Sequence, residues 1–85
     1  MTITVRVRYF ASLREALGPG ETVQVAPGSS LGALRDRLIA GSDRHARALA
    51  RGKAVRCALN QTICDEQSAL VADAEVAFFP PVTGG

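Results

Sequence analysis

Ile3-Thr4-Val5-Arg6-Val7-Arg8-Tyr9-Phe10-Ala11-Ser12-Leu13-Arg14-Glu15 changes its period part-way through. Ile3, Val5, Val7 and Tyr9 alternate with Thr4, Arg6, Arg8 and Phe10, the period of two that marks a strand with one buried face. From Ser12 the spacing fits a capping box instead, in which the serine oxygen and Glu15 each satisfy an orphan amide. Gly18-Pro19 then stops a short helix. A strand feeding directly into a helix places the chain among α+β folds and makes this strand the reference for the rest of the chain.

Working outward, Thr22 to Ala26 reads as a second strand, and Pro27-Gly28 turns the chain before Ser29 or Ser30 caps a longer helix. Leu31, Leu34, Leu38 and Ile39 form that helix's apolar stripe, and Gly41 ends it. Asp43 is expected to cap one or two further turns, with Ala46, Leu49 and Ala50 facing inward. Val55, Cys57 and Leu59 alternate with Arg56, Ala58 and Asn60 in a third strand that ends at an Asn60-Gln61 turn. Thr62 and Ile63 add a brief strand, and Asp65 to Asp73 reads as a loop anchored by Leu70. Glu75 to Phe79 forms the last strand, running into Pro80-Pro81. The expected order is β-β-α-β-β with short insertions, in a mixed sheet of four or five strands with one main helix and short extra ones.

One principal helix covers only one face of such a sheet. With Ile3, Val5, Val7, Val55, Cys57 and Leu59 against the helix, the open face carries Arg6, Arg8, Arg56 and Ala58. The last strand departs from this rule: Val76 and Phe78 point one way, Ala77 and Phe79 the other, so an aromatic is expected on each face.

The 85 residues make one small domain, residues 1–79, with residues 80–85 as an extended tail. Hydrophobic residues make up 47% of the chain without any run long enough to span a bilayer, and Arg6 and Arg8 interrupt any signal-peptide core, so a cytoplasmic location is expected. A net charge of +2 and few aromatics give no reason to expect nucleic acid as a partner. Arg44, Arg47, Arg51 and Lys53 form the one basic stretch, with 44, 47 and 51 on one helical stripe that reads as a solvated face. Cys57 and Cys64 lack the spacing and the His or Cys neighbours of a zinc or dithiol motif, so no metal or disulfide is expected, and Cys57 reads as a small buried hydrophobe.

No residue pattern suggests a catalytic centre. His45 falls on the polar side of its helix with no nucleophile near it and reads as solvated; Asp65-Glu66 and Asp73-Glu75 read as turn-forming or solubilising pairs. What remains is the ending Pro80-Pro81-Val82-Thr83-Gly84-Gly85. The prolines stiffen a tail that extends roughly 20 Å. Gly84 and Gly85, lacking Cβ, can thread a narrow channel and present an unhindered carboxylate. A carboxylate is a poor electrophile until a partner converts it to an acyl-adenylate, so the domain reads as a carrier for another protein's chemistry, not an enzyme by itself.

The β-β-α-β-β order, Phe78-Phe79-Pro80-Pro81-Val82-Thr83-Gly84-Gly85, the Asn60-Gln61-Thr62 turn and Tyr9-Phe10-Ala11-Ser12-Leu13-Arg14-Glu15 together resemble the sulfur-carrier subunits of molybdopterin synthase over nearly the whole chain. The resemblance implies a ubiquitin-like β-grasp fold. It implies that an adenylyltransferase related to ubiquitin-activating enzymes uses ATP to adenylate Gly85, that a sulfur donor protein converts the adenylate to a thiocarboxylate, and that no cofactor or metal is permanently bound. It further implies that Pro81, Val82, Thr83 and Gly84 insert into the large synthase subunit, with Phe78, Phe79 and Pro80 at the contact. There the thiocarboxylate gives its sulfur to cyclic pyranopterin monophosphate, two carriers serving the two dithiolene sulfurs in a heterotetramer. The thiamine-pathway sulfur carriers, a ubiquitin-like protein modifier and a passive interaction module are the alternatives. One departure lies at Val71-Ala72-Asp73-Ala74-Glu75, where the family usually has Asp-Gly-Asp-Glu: with Ala74 in place of the glycine, a turn with positive φ is expected to be strained or rearranged.

Overall fold

A computed structural model describes residues 1–81, which fold as β1 (Ile3–Tyr9), α1 (Ala11–Leu17), β2 (Gly20–Val25), α2 (Leu31–Gly41), α3 (Asp43–Ala48), β3 (Arg56–Leu59), β4 (Thr62–Cys64) and β5 (Glu75–Phe79). The five strands form one mixed sheet in the order β2-β1-β5-β3-β4. β1 and β5 are parallel and every other neighbouring pair is antiparallel. With its helices on one face, this is the β-grasp architecture. The final strand lies at the centre of the sheet, between the first and the third.

The alternation in β1 decides which face is covered. Val5, Val7 and Tyr9 are buried while Arg6 and Arg8 are exposed. Register carries that division across the sheet: Val7 faces Val76 and Tyr9 faces Phe78 in β5, and Phe78 in turn faces Cys57 in β3. Leu31, Leu34 and Leu38 of α2 cover this face, with Leu13 of α1, Leu49 after α3 and Leu70 of the long loop closing its margins. Cys57 is 5% exposed and packs as the small hydrophobe its strand parity implies. On the opposite face Ala58 is also buried, although parity assigns it to the open side: β4 and β5 flank β3 closely enough to shield a methyl group.

Three local assignments are corrected. Ser12 does not cap α1. Phe10 donates its amide to the Phe78 carbonyl at 3.2 Å and stays extended as the N-cap residue, so the chain turns at Ala11 (φ 53) and Ser12 already lies inside the first turn. Ser30 does cap α2, accepting the Ala33 amide at 3.1 Å, but Ser42 and not Asp43 caps α3, accepting the His45 amide at 3.1 Å. Leu49 lies in the core as expected, but with that start shifted by one residue it is joined there by Ala48, while Ala46 and Ala50 are only half-buried. The third concerns the loop before β5: the positive φ belongs to Asp73 (63°), whose amide donates to the Thr4 carbonyl at 2.8 Å, while Ala74 lies outside the left-handed region and is 1% exposed within the core. A small residue at position 74 is thus demanded by packing, and an aspartate tolerates the left-handed conformation at 73.

Two residues fix the frame by close contact. A Cβ on Gly20 would collide with the Val7 carbonyl oxygen, so no other residue fits where β2 enters against β1. Arg35 on α2 is 3% exposed and fully bonded: Nε donates to the Leu49 carbonyl at 2.8 Å, one terminal nitrogen to Glu66 at 2.7 Å and the other to the Ala50 carbonyl at 2.7 Å. Glu66 also pairs with Arg51, whose guanidinium reaches Asp36 at 2.8 Å and the Gly32 carbonyl at 3.0 Å. Glu66, expected to act only in turn formation or solubility, therefore joins three segments that are remote in sequence.

Candidate functional site

The site that the fold builds is the point where the chain leaves β5. Phe79 is the last residue in register, opposite Arg56. Pro80 has no amide with which to continue the ladder, so the sheet releases the chain there. Pro80 borders a cleft of about 220 Å³ walled by Ser12, Leu13 and Ala16 of α1, Ala48, and the segment from Lys53 to Val55. A neighbouring cleft of about 460 Å³ shares Ala16, Ala48 and Lys53 and adds Arg44 and Arg47, which gives the exit a basic margin. Arg51 is absent from that margin. α3 ends at Ala48, which breaks the expected stripe of 44, 47 and 51, and Arg51 turns instead to Asp36 and Glu66.

The three residues expected at a partner contact are separated. Phe78 is 1% exposed and stacks on Tyr9, with ring centroids 6.3 Å apart at 19°, so its side chain has no surface to offer. Its placement follows from strand parity: with Val76 directed inward, residue 78 must be too. Phe79 lies on the other face, half-buried, and Pro80 and Pro81 are half-buried beside it. Phe10, which alternation places on the same open side, is 40% exposed with the Arg8 guanidinium 5.6 Å from its ring centre. Arg8 also approaches Glu75 at 3.7 Å, and Ile63 on the edge strand β4 is 66% exposed. The open face thus combines aromatic and aliphatic groups with arginines around the exit. Sequence reasoning missed Phe10 as a site residue, although its place at the end of the alternating run marks it.

Behind the exit, a hydrogen-bonded chain braces β1 against β2 and α3. Tyr9 donates its hydroxyl to Glu21 at 2.7 Å, Glu21 meets His45 Nε2 at 2.7 Å, and His45 Nδ1 lies 2.6 Å from the Ser42 hydroxyl. His45 is therefore engaged rather than simply solvated, and it also meets the Tyr9 ring edge-on at 6.2 Å. Burial, then the bond to Glu21, pushes the Tyr9 phenol well above its ordinary value. Burial also works against ionisation of Glu21, but hydrogen bonds from Tyr9 and His45 outweigh it and hold the carboxyl below its usual range. The serine, histidine and carboxylate resemble a hydrolytic triad only in name. The Ser42 oxygen is committed to capping α3, and the group serves to clamp three elements together.

Among the described residues, no three His, Cys, Asp or Glu side chains gather into a group that could hold a metal, and no helix is long and apolar enough to cross a membrane. The site offers a position and a surface. Val82, Thr83, Gly84 and Gly85, on which the sequence reading places the reactive group and most of the inserting tail, lie outside the described residues.

Residues 7–85 match the model of the ThiS family. The chain belongs to that family. Within it, the chain is 44% identical over 81 residues to the molybdopterin synthase sulfur carrier subunit of Escherichia coli, covering 95% of this chain and 99% of the relative. It is 38% identical over 81 residues to the protein of the same name from Haemophilus influenzae, with the same coverage. Among solved structures, SAMP1 from Haloferax volcanii is similar at a TM-score of 0.75 and 27% identity, over 96% of this chain and 99% of that one. A chain in the complex of subunits 1 and 2 of the molybdopterin-converting factor from Helicobacter pylori is similar at 0.62 and 25%, over 98% and 100%. Caldiarchaeum subterraneum ubiquitin, 16% identical with a TM-score of 0.63 over all of both chains, shows the fold alone to be ubiquitin-like. The ThiS-family chain thus has relatives of nearly its own length, and its exit segment Phe79-Pro80-Pro81 lies within the matched region.

Proposed function

We propose that this chain is the sulfur carrier subunit of molybdopterin synthase, with Gly85 as its final residue and that residue's carboxylate as the carried group. The observation that supports the reading most strongly is the release of the chain from the central strand at Pro80, beside a surface of Phe79, Phe10 and arginines, in a protein 44% identical to a carrier subunit of that name. An adenylyltransferase transfers AMP from ATP to the carboxylate with loss of pyrophosphate, and reduced sulfur from a donor protein then displaces AMP to leave a thiocarboxylate. The loaded tail enters a large subunit, Phe79 and Pro80 meet that subunit's surface, and Pro81, Val82, Thr83 and Gly84 span its channel. The sulfur passes to cyclic pyranopterin monophosphate. Two carriers in a heterotetramer supply the two dithiolene sulfurs, and the assembly works in the cytoplasm. The carrier needs no resident cofactor; ATP is consumed by its activating partner.

The domain supplies a position for chemistry done elsewhere, so the length of the tail is the variable that matters. Intact-mass measurement after incubation with the activating enzyme, ATP and a sulfur donor should show one terminal oxygen replaced by sulfur, and fragmentation should place it on Gly85. Addition of the large subunit and the pyranopterin precursor should then yield molybdopterin. Appending one residue after Gly85 should abolish transfer while leaving the fold intact. Sulfur transfer by the extended chain would overturn the reading, and loading without transfer to the pyranopterin would point to the thiamine pathway. The likeness to SAMP1 supports a second reading, a protein modifier, in which the activated Gly85 forms an isopeptide bond with a lysine. Recovery of such a conjugate in place of the thiocarboxylate would favour it.

A further inference from the structure

Cys57 and Cys64, seven positions apart and matching no redox motif, are placed directly opposite one another by the β3–β4 hairpin. The two-residue turn makes this placement. Asn60 (φ 50) and Gln61 (φ 70) both occupy the left-handed region, as the tight hairpin turn between Leu59 and Thr62 requires, and the register then runs Leu59 to Thr62, Ala58 to Ile63 and Cys57 to Cys64. Directly opposed residues on an antiparallel pair share a face and have Cα atoms about 4.5–5.5 Å apart. A disulfide accommodates separations of about 4.4–6.8 Å. Both thiols are free, and the Cys57 thiol already points toward the edge strand, donating to the Cys64 carbonyl at 3.4 Å. Their exposure differs: Cys57 is buried beneath the sheet's covered face, whereas Cys64 is half-buried, and both border a crevice with Arg56, Asp65 and Glu66 at the sheet edge.

We propose that Cys57 and Cys64 form a cross-strand dithiol site that small-molecule disulfides oxidise to an intramolecular disulfide. In the first step the Cys64 thiolate attacks one sulfur of a disulfide such as oxidised glutathione, forming a mixed disulfide and expelling one glutathione thiolate, which takes up a proton. In the second, Cys57 loses its proton and attacks the Cys64 sulfur, forming the protein disulfide and releasing the second glutathione. Two protein thiols are oxidised and one glutathione disulfide is reduced. The order follows from access: burial, and after it the neighbouring Cys64, push the Cys57 thiol above its ordinary range, so Cys64 is the thiol that meets the oxidant. Closure ties β4, whose one neighbour among the described residues is β3, to the residue facing Phe78 in the strand that leads to Pro80.

The test is to incubate the native full-length protein with oxidised glutathione, block remaining thiols, and read intact mass, peptide map and non-reducing electrophoresis. The proposal expects a monomer lighter by two hydrogen atoms, a linked peptide pair containing Cys57 and Cys64, and full reversal by dithiothreitol. Cys57→Ser should stop at the glutathionyl adduct on Cys64, since it lacks the resolving thiol. A wild-type protein that keeps the glutathionyl adduct, forms a covalent dimer, or shows no change in mass would overturn it.

Discussion

Phe78 and Phe79 are adjacent and chemically identical, yet they belong to different aspects of the molecule. Truncating Phe78 to alanine removes a ring stacked on Tyr9 in the core and should cost about 3–5 kcal/mol of stability, read from urea unfolding. Phe79→Ala should cost roughly 1 kcal/mol. Its effect should appear instead as weaker association with the large subunit, measured by calorimetry. Were the two variants to lose partner binding equally while both remained folded, the assignment of the open face to the contact would fail. Strand alternation makes that division legible in the sequence. Arg35 is not legible there, because the partners that make its burial tolerable lie in the 49–53 and 65–66 segments and nothing local announces them. Arg35→Ala leaves the Leu49 carbonyl without its side-chain donor, while the Ala50 carbonyl keeps the Lys53 amide and Glu66 keeps Arg51, so it should destabilise by about 1–3 kcal/mol, less than losing the aromatic.

The secondary-structure elements are legible where a side-chain period defines them and less so at their ends. β5 and β4 fall where alternation and turn residues place them, and the long loop is anchored by Leu70 as expected. The helix starts are harder. Ser12, with Glu15 three residues on, presents a stronger local signal than Ser30, but the sheet holds Phe10 extended and moves the start of α1 ahead of Ser12, whereas nothing displaces Ser30. Ser30→Ala should therefore lower stability by about 1 kcal/mol while Ser12→Ala leaves it nearly unchanged, a contrast that one pair of thermal melts resolves. The loop before β5 makes a related point. Composition identifies a strained turn, but only tertiary packing shows that Asp73 takes the unusual φ while Ala74 fills the core.

For the molecule taken entire, the ionisable groups that bridge elements set how stability varies with pH. Glu21 and Glu66 have carboxyls held below their ordinary value of 4.5, Glu66 because bonds from Arg51 and Arg35 outweigh the opposing effect of burial. A depressed carboxyl contributes stability that is fully present above its unfolded value and is lost as pH falls through the folded one. Tyr9 runs in the opposite direction: its raised value makes the fold less stable as pH rises past the unfolded 10.0. Melting temperature against pH should thus fall below about pH 4.5 and fall again above about pH 9, where the raised Cys57 thiol and then Tyr9 lose stability as the unfolded groups ionise. Removing Glu21 by substitution with glutamine should reduce the acid-side loss and the alkaline-side loss together, since both meet at that residue. The candidate site is legible in the sequence as a tail and two aromatics; the cleft beside Pro80 is not, since its walls come from α1, α3 and the segment before β3, which only the fold brings together.

The central position of β5 bears on the protein's birth. The strand at the heart of the sheet is also the last of the five to be synthesised, and it joins β1, the first, in parallel register. Such pairing of remote segments closes late in folding. On a translating ribosome, then, β1, β2 and α2 emerge without the strand that completes their core, and a chain cut short before Glu75 has no native state to reach. Completion of the hydrophobic interior and release of the chain at Pro80 are therefore a single event.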